Sequence, residues 1–597
     1  MINKTLRKLK TRNTQSNIKQ FLAVILIVFL STVLFLGFAV NWWSLKKSVD
    51  LYYEETKLAN LWVDVNNISE GDEKFFDKNA LEYDKRLTFK AETVIKDGAS
   101  VTSEVYVSDG KLNTPYVSVK TQGCFIDEQT ATDNEIVFGF DTLIVDYNLN
   151  GENIQLEFEI TGTMNFSERI FDDGVKPVFI DETVFLNKIN SKLEEKSQQI
   201  KTSVDYNQIL VKCDNVEKMK SMINKHYQTS GSSLKLVYGR ECVDSVVFMN
   251  EEIQNAKLIM ILFASIFIVV SILLVLATIN QFIIQEKPRI GTFKSLGIEN
   301  SKIVKFYSGF GSNLCFIGAI IGAVLSPIIV PSVMMATYEN VYLIPNEYLK
   351  LKLPIALMIV TILAFTVCGF IITCCQISRV VKGNPVDCFN DAPKLRKNRA
   401  KIKENVSKMP LFIKSAFRNM KQNIARNVMM LVGVFGSVSL LFTSFSVSSS
   451  LSISNLSTEK RFDGIYSLMG IVRVFAILLV IVVVVGSLMM ILRDRKKEIA
   501  TFKLLGIKKN TMIWSLVAEI AMVLVVGFMM GIFGGVGLSF LTLKTLHMFG
   551  VVAAFSLNFM DIFLSFLIPF LVALLLILYS IIWIKKLNAL ETLKTIE

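Results

Sequence analysis

Ile290-Gly291-Thr292-Phe293-Lys294-Ser295-Leu296-Gly297-Ile298 returns 209 positions later as Ile499-Ala500-Thr501-Phe502-Lys503-Leu504-Leu505-Gly506-Ile507, with seven of nine residues identical. Each copy follows a basic run, Lys287-Pro288-Arg289 in one and Arg493, Arg495, Lys496 and Lys497 in the other, and each precedes a glycine-rich apolar stretch. Chance likeness between two low-complexity loops is a poor explanation of so long a shared word. The copies mark an internal duplication.

Around the two copies the apolar residues gather into runs long enough to cross a bilayer, which takes about 20 residues. They lie at 20–41, 257–284, 305–333, 352–375, 428–448, 467–492, 512–543 and 561–584. The first run has too long an apolar core for a cleaved signal, and no clear small-x-small site precedes Trp42 and Trp43, so it reads as a retained anchor. With 52% hydrophobic residues in 597, the composition excludes both a disordered chain and an ordinary soluble fold. Weaker echoes extend the duplication. Ile413 to Asn419 before the fifth run resembles Lys4 to Arg12 before the first, and Arg379 to Val386 after the fourth resembles Lys585 to Leu590 after the eighth. Four spans per copy make both copies point the same way, which predicts a pseudo-twofold axis along the membrane normal, unlike the inverted repeats of many secondary transporters.

Charge sets the expected orientation. Segments 1–20, 286–305, 376–427, 493–511 and 585–597 hold 34 Lys and Arg and are expected to be cytoplasmic. Residues 44–255 instead hold 23 basic and 37 acidic residues, about −14, inside a chain of net charge +12. The positive total therefore describes the inner face and gives no reason to expect nucleic acid. In the acidic segment, alternating runs at 102–108, 117–120, 142–147 and 155–160 read as strands. A strand over 208–212, a helix carrying Val216, Met219, Met222 and Ile223, and a strand over 234–238 form a βαβ-like end. Leu45 to Leu61 and Val246 to Ala256 read as helical stalks. The expected fold class is an α-helical membrane protein of eight transmembrane helices in two parallel four-helix repeats, with one extracellular mixed α/β domain between helices 1 and 2.

Chemistry-bearing motifs are few. No G-x-x-x-x-G-K-[ST] loop occurs, so a nucleotide is not held here in the P-loop manner, and any ATP and Mg belong on a partner. Cys124, Cys213 and Cys242 make an odd external count, which argues against a disulfide-stapled domain. Cys374-Cys375 has no adjacent His, and His226 and His547 are the only histidines, a poor basis for a metal site. No metal, cofactor or catalytic residue is expected in this chain. Arg473 and Glu519 lie in otherwise apolar runs; each can be an interfacial anchor, and Glu519, which follows the repeated loop, is the candidate for a functional intramembrane group. Gly318 and Gly322 in the third span, and Gly527, Gly531 and Gly535 in the seventh, form small faces for helix packing, or for an interface between the halves.

In the loop itself Ile290, Phe293 and Leu296, like Ile499, Phe502 and Leu505, recur at every third position of a short helix stopped by Gly297 or Gly506. A helix apolar on one side and basic on the other would lie along the inner membrane face and offer a knob to a cytoplasmic protein. A plain positive-inside loop explains the lysines but not the repeated word.

At these residues the chain resembles the FtsX-like permease domain, the family that includes permeases of MacB-type and lipoprotein-releasing ABC transporters. The resemblance covers 257–388 and 466–593, with basic pre-span helices at 4–20 and 411–427. It implies that the loops are coupling helices docking on an ATPase subunit, through Arg289, Ile290, Thr292, Phe293, Lys294, Leu296 and Gly297 and through Lys496, Glu498, Ile499, Thr501, Phe502, Lys503, Leu505 and Gly506. The 43–256 domain is partly similar, through its βαβ end, to the MacB-type periplasmic domain. Pro288-Arg289 stands where the second copy has Lys497-Glu498, and Phe310 where it has Glu519, so unequal docking sites are expected. The division is 1–19 basic amphipathic segment, 20–42 first span, 43–256 stalk and α/β domain, 257–388 first permease unit, 389–427 linker and pre-span helix, 428–448 fifth span, 449–465 outer loop and 466–597 second permease unit.

The resemblance implies a permease in a bacterial plasma membrane. It would couple hydrolysis by a separate ATPase, in two copies, to motion of the stalk and domain, exporting or extracting a peptide, lipid or lipoprotein-like substrate such as an antimicrobial peptide. Membrane lipid and an extracellular substrate or protein complete the expected partners. The alternative is a transmembrane signalling scaffold that activates an extracellular partner without transport. An ion-driven secondary transporter is disfavoured by the parallel repeat and the scarcity of mid-membrane charge.

Overall fold

The computed structural model describes residues 18–95, 100–119, 121–149, 152–171, 174–195, 201, 203–230, 233–385, 411–422, 424–453, 463–506, 509–547 and 553–586. The basic segment Lys4 to Arg12 and the last echo beyond Lys586 lie outside the described residues. Two compact units emerge, one of 1–42, 255–334 and 353–597, the other of 43–254 and 335–352.

The first unit is helical, and eight of its helices are long and apolar enough to cross a membrane. They belong to α1 (Ile18–Glu55), α6 (Asp244–Ser295), α7 (Asn300–Val341), α8 (Ile355–Val381), α10 (Ile424–Ile453), α11 (Asp463–Asp494), α13 (Lys509–His547) and α14 (Phe559–Lys586). Among the described residues the unit also holds two shorter helices, α9 (Leu411–Gln422) and α12 (Lys496–Leu504). The spans are apolar around their whole circumference, as lipid on one side and neighbouring helices on the other require. Between such helices only close packing discriminates, and glycine permits the closest approach. A Cβ on Gly318 of α7 would lie 2.8 Å from Ile25 O and 3.0 Å from Val28 Cβ of α1, and one on Gly322 would lie 2.7 Å from Thr32 Cβ and 3.0 Å from Phe29 O. On α13, 209 positions on, Gly527 faces Val434 and Leu431 O, Gly531 faces Val438 and Phe435 O, and Gly535 faces Phe442 and Ser439 O, all on α10. The glycine faces thus meet the first helix of their own half. Across the halves the close approach is instead Gly436 of α10 against Val270 of α6.

The second unit is built on ten strands: β1 (Leu61–Val65), β2 (Glu82–Ile95), β3 (Ser100–Ser108), β4 (Tyr116–Val117), β5 (Cys124–Asp127), β6 (Thr142–Leu149), β7 (Glu152–Asn165), β8 (Lys176–Asp181), β9 (Gln208–Lys212) and β10 (Leu234–Gly239). The pairings β2·β3, β3·β8, β8·β5, β5·β7, β7·β6 and β6·β2 close a ring of six strands. Closure removes free edges. The ring's core holds Val105, Ile126, Val145, Phe158 and Ile180, with Phe185, Ile189 and Leu193 of α4 (Glu182–Glu195) packed against it. Beyond the ring, β1 lies between β9 and β10 and is antiparallel to both. The expected βαβ end is therefore a split one, in which α5 (Val216–Ser230) crosses over a third strand. Leu61 opens β1 instead of ending a stalk helix, which stops at Glu55, and strand β4, Tyr116–Val117, meets the expected 117–120 run only at Val117.

Residues 335–352, expected within the first permease unit (257–388), belong to this unit. Leu343 N–H donates to Ile170 O at 2.6 Å, Lys352 N–H to Ser44 Oγ at 2.9 Å, and the Tyr348 ring packs 5.3 Å from Tyr52 and 5.7 Å from Tyr116. At the centre of the unit Arg86 is buried. Its guanidinium donates to both Glu168 oxygens at 2.6 and 2.8 Å and to Gln208 at 2.5 Å, and it lies 4.8 Å over the Tyr106 ring.

Candidate functional site

In the first copy the repeated loop is the end of α6, which runs unbroken through Pro288 to Ser295. Gly297 follows with φ +75°, a left-handed backbone that suits glycine. Gly297 N–H donates to Lys294 O at 3.0 Å and Ile298 N–H to Phe293 O at 3.1 Å, the paired bonds of a Schellman stop. In the second copy the helix breaks. α11 ends at Asp494, Arg495 is the joint, and α12 carries the repeated word to Leu504. Gly506 has φ +74° and donates to Lys503 O at 3.4 Å. Nothing stands within 4 Å of where a Cβ would be on either glycine, so the requirement there is backbone alone.

The every-third-residue stripe does not stay on one side. Three residues turn a helix 60° short of a full turn, so the stripe winds from the inside outward. Ile290 and Ile499 are buried, Phe293 and Phe502 half-buried, and Leu296 and Leu505 are 72% and 71% exposed. Thr292 and Thr501 are exposed on the same flank. Lys294 is committed inside the chain: its ammonium donates to Val381 O at 2.7 Å and to Gly383 O, at the end of α8, where unpaired carbonyls favour a cation. Lys503 is half-buried. The side chains of Lys496 and Glu498 lie outside the described residues.

Beneath each loop sits a buried polar node. In the first half Glu286 of α6 accepts from Arg289 at 2.8 Å and from the Tyr307 phenol of α7 at 3.1 Å. Phe310 packs beside it, with ring centres 5.7 Å from Phe282 and 6.0 Å from Phe21. In the second half Glu519 is fully buried and lies 2.5 Å from the Arg495 guanidinium, so it is no interfacial anchor. Arg495 also donates to Ser515 Oγ at 3.2 Å, and Ser515 Oγ to Ser415 Oγ of α9 at 3.1 Å. Arg473 is half-buried, donates to Ser444 and Ser448 of α10, and stacks 4.2 Å over Phe445. Sequence reading passes over Glu286, Tyr307 and Ser515, and takes Arg495 only as part of a basic run. Two buried charges of opposite sign at one repeat position, 286 and 495, were the available signal.

Among the described residues no three His, Cys, Asp or Glu side chains group as metal ligands, and His226 is engaged with Asp72 at 2.9 Å. The loops offer surface: a leucine knob flanked by threonine at a rigid helix end.

The family description FtsX-like permease C-terminal matches residues 261–385 and 470–589. No curated protein matches. Among solved structures, the crystal structure of the periplasmic region of MacB from Actinobacillus actinomycetemcomitans is similar over 32% of this chain and 94% of that one, at 14% identity and a TM-score of 0.21. The second matched segment falls in the helical unit, and so does the first apart from residues 335–352; each takes in one copy of the repeated loop. The chain thus carries two FtsX-like permease segments, one in each membrane half, of the kind found in membrane subunits of ABC transporters that work with a cytoplasmic ATPase.

Proposed function

We propose that the chain couples ATP hydrolysis by two copies of a separate ATPase to motion of its α/β unit, and so exports or extracts a peptide, lipid or lipoprotein-like substrate. In this reading the two four-span halves run parallel, the termini and repeated loops are cytoplasmic, and residues 43–256 face outward. The observation that carries it is the pair of exposed leucines, Leu296 and Leu505, each presented at the end of a helix stopped by a left-handed glycine. A solvated loop has no need of a bulky apolar residue held rigidly outward, whereas a docking helix does. The α6 helix adds support, since one element carries the chain from Asp244, a residue of the α/β unit, to the loop at Ser295.

The test is co-purification of the permease with ATPases encoded beside its gene, with hydrolysis measured for wild type, Gly297→Asp and Gly506→Asp. Loss of association in both variants supports docking. Association and hydrolysis untouched by either would remove it and leave the signalling scaffold as the better reading.

A further inference from the structure

The two halves seat their repeated loops by different means. At the 209-residue offset Glu286 corresponds to Arg495, Phe306 to Ser515, Tyr307 to Leu516 and Phe310 to Glu519. In the first half the position of Glu519 is filled by an aromatic ring in an aromatic cluster. The first half thus does without a carboxylate at that position, and its own buried Glu286 is paired with Arg289 on the same helix. A buried ion pair is seldom kept for stability, since well-packed apolar replacements are often neutral or better. What the second half lacks is a continuous helix. α6 runs unbroken into its loop, whereas α11 stops at Asp494 and α12 restarts at Lys496, with Arg495 N–H donating to Ile491 O at 3.0 Å and Ile499 N–H to Arg495 O at 2.9 Å on either side of the interruption. The residue at that joint is Arg495.

We propose that Arg495 and Glu519 are positioning residues, a clasp across the α11–α12 joint that sets the direction of α12 and ties it to α13 and, through Ser515 and Ser415, to α9. This rests on the reading of α12 as an ATPase-docking helix. With the clasp closed, displacement of α12 by a docked ATPase moves α13; with it open, α12 pivots at the joint and the displacement is lost. Removing either charge leaves the other buried without this counter-ion, so the second loop depends on a charge pair between helices, whereas the first pairs Glu286 with Arg289 within α6.

The permease is prepared in complex with its ATPase and compared as wild type, Arg495→Gln, Glu519→Gln and the reversed pair Arg495→Glu with Glu519→Arg. Two quantities are read: the amount of ATPase retained, and the hydrolysis rate of the complex over that of the ATPase alone. Both single variants should retain the ATPase while the permease-dependent hydrolysis falls about tenfold, and the reversed pair should recover most of it. Unchanged hydrolysis in both single variants, or a reversed pair no better than they are, overturns the clasp. If a single variant does not yield folded permease, the reversed pair decides alone: folded, ATPase-bound and inactive overturns the proposal, folded and active supports it. Failure of the wild type to retain any ATPase would instead bring down the docking reading.

Discussion

Leu505 repeats Leu296: each stands immediately before a left-handed glycine, and the two are 71% and 72% exposed. Replacing either by Asp leaves the buried parts of the loop intact and puts a charge where an apolar partner would sit. Each substitution should weaken ATPase retention at least tenfold, through a desolvated charge in the interface, with unchanged melting of the permease itself. Pull-down titration and thermal unfolding of each variant check the two halves of this statement.

The glycine seams predict equal behaviour in the two halves. Gly322→Val and Gly531→Val place side chains where the Cβ alone would come within 2.7 Å of Thr32 and Val438. Each should destabilise by about 1 to 3 kcal/mol, the usual cost of overpacking, seen as a lower melting temperature in detergent. Gly470→Ala, where nothing stands within 4 Å, should melt near the wild type. Tolerance of valine at either seam would contradict the packing described.

Much of the membrane part was legible because lipid imposes uninterrupted apolar runs and because the duplicated word survives in sequence. The ring of six strands was not. Its closure depends on β6 pairing with β2, residues 93–95 against 143–145, and alternation along a strand says which side faces inward, not which neighbour it takes. Arg495 and Glu519 were visible as charges, but their pairing follows from the break at the joint, which local propensity does not mark. Leu296 was assigned to the same side as Ile290 because a three-residue period was treated as a straight stripe; over two steps the true period of 3.6 carries it well round the helix.

In the α/β unit Glu168 is the counter-ion of a buried guanidinium, 2.6 Å from Arg86. Glu168→Gln should destabilise this unit by about 3 to 5 kcal/mol, the cost of leaving a buried charge uncompensated. Hydrogen exchange of the β2 and β9 amides in the full chain would report it, and exchange no faster than in wild type would count against the pair's importance.

Acid should loosen the base of α2 (Glu70–Asn79). Burial pushes the Asp72 carboxyl up, but the hydroxyl and backbone N–H of Ser69, together with His226, outweigh it and hold the group below the ordinary value of 3.8. A depressed carboxylate stabilises the fold at pH above that ordinary value, and the contribution is lost as pH falls through the lower, folded one. Asp72→Asn should therefore be less stable than wild type near neutrality by about 1 to 2 kcal/mol, and the gap should narrow in acid below 3.8. Melting curves across pH 2 to 7 decide it; a gap independent of pH would assign the loss to packing instead.

Orientation has a direct chemical check. Cys242 is exposed in the α/β unit, whereas Cys124 is buried, and burial pushes its thiol up to about 12. On intact cells a membrane-impermeant maleimide should label Cys242 and spare Cys124 until the protein is denatured. Labelling of Cys242 only after the cells are broken would reverse the proposed orientation.

Residues 335–352 decide how the α/β unit can be cut from its gene. A fragment spanning 43–254 takes the whole contiguous insertion and still discards a structural piece, because the strap that meets Ile170, Ser44 and Tyr52 is encoded about a hundred codons downstream. Such a fragment would expose Tyr52 and leave the Ile170 carbonyl without its donor. Rejoining the strap through a short linker after residue 254 restores both, so the boundary for isolating this unit is set by hydrogen bonds and not by the order of the exposed sequence.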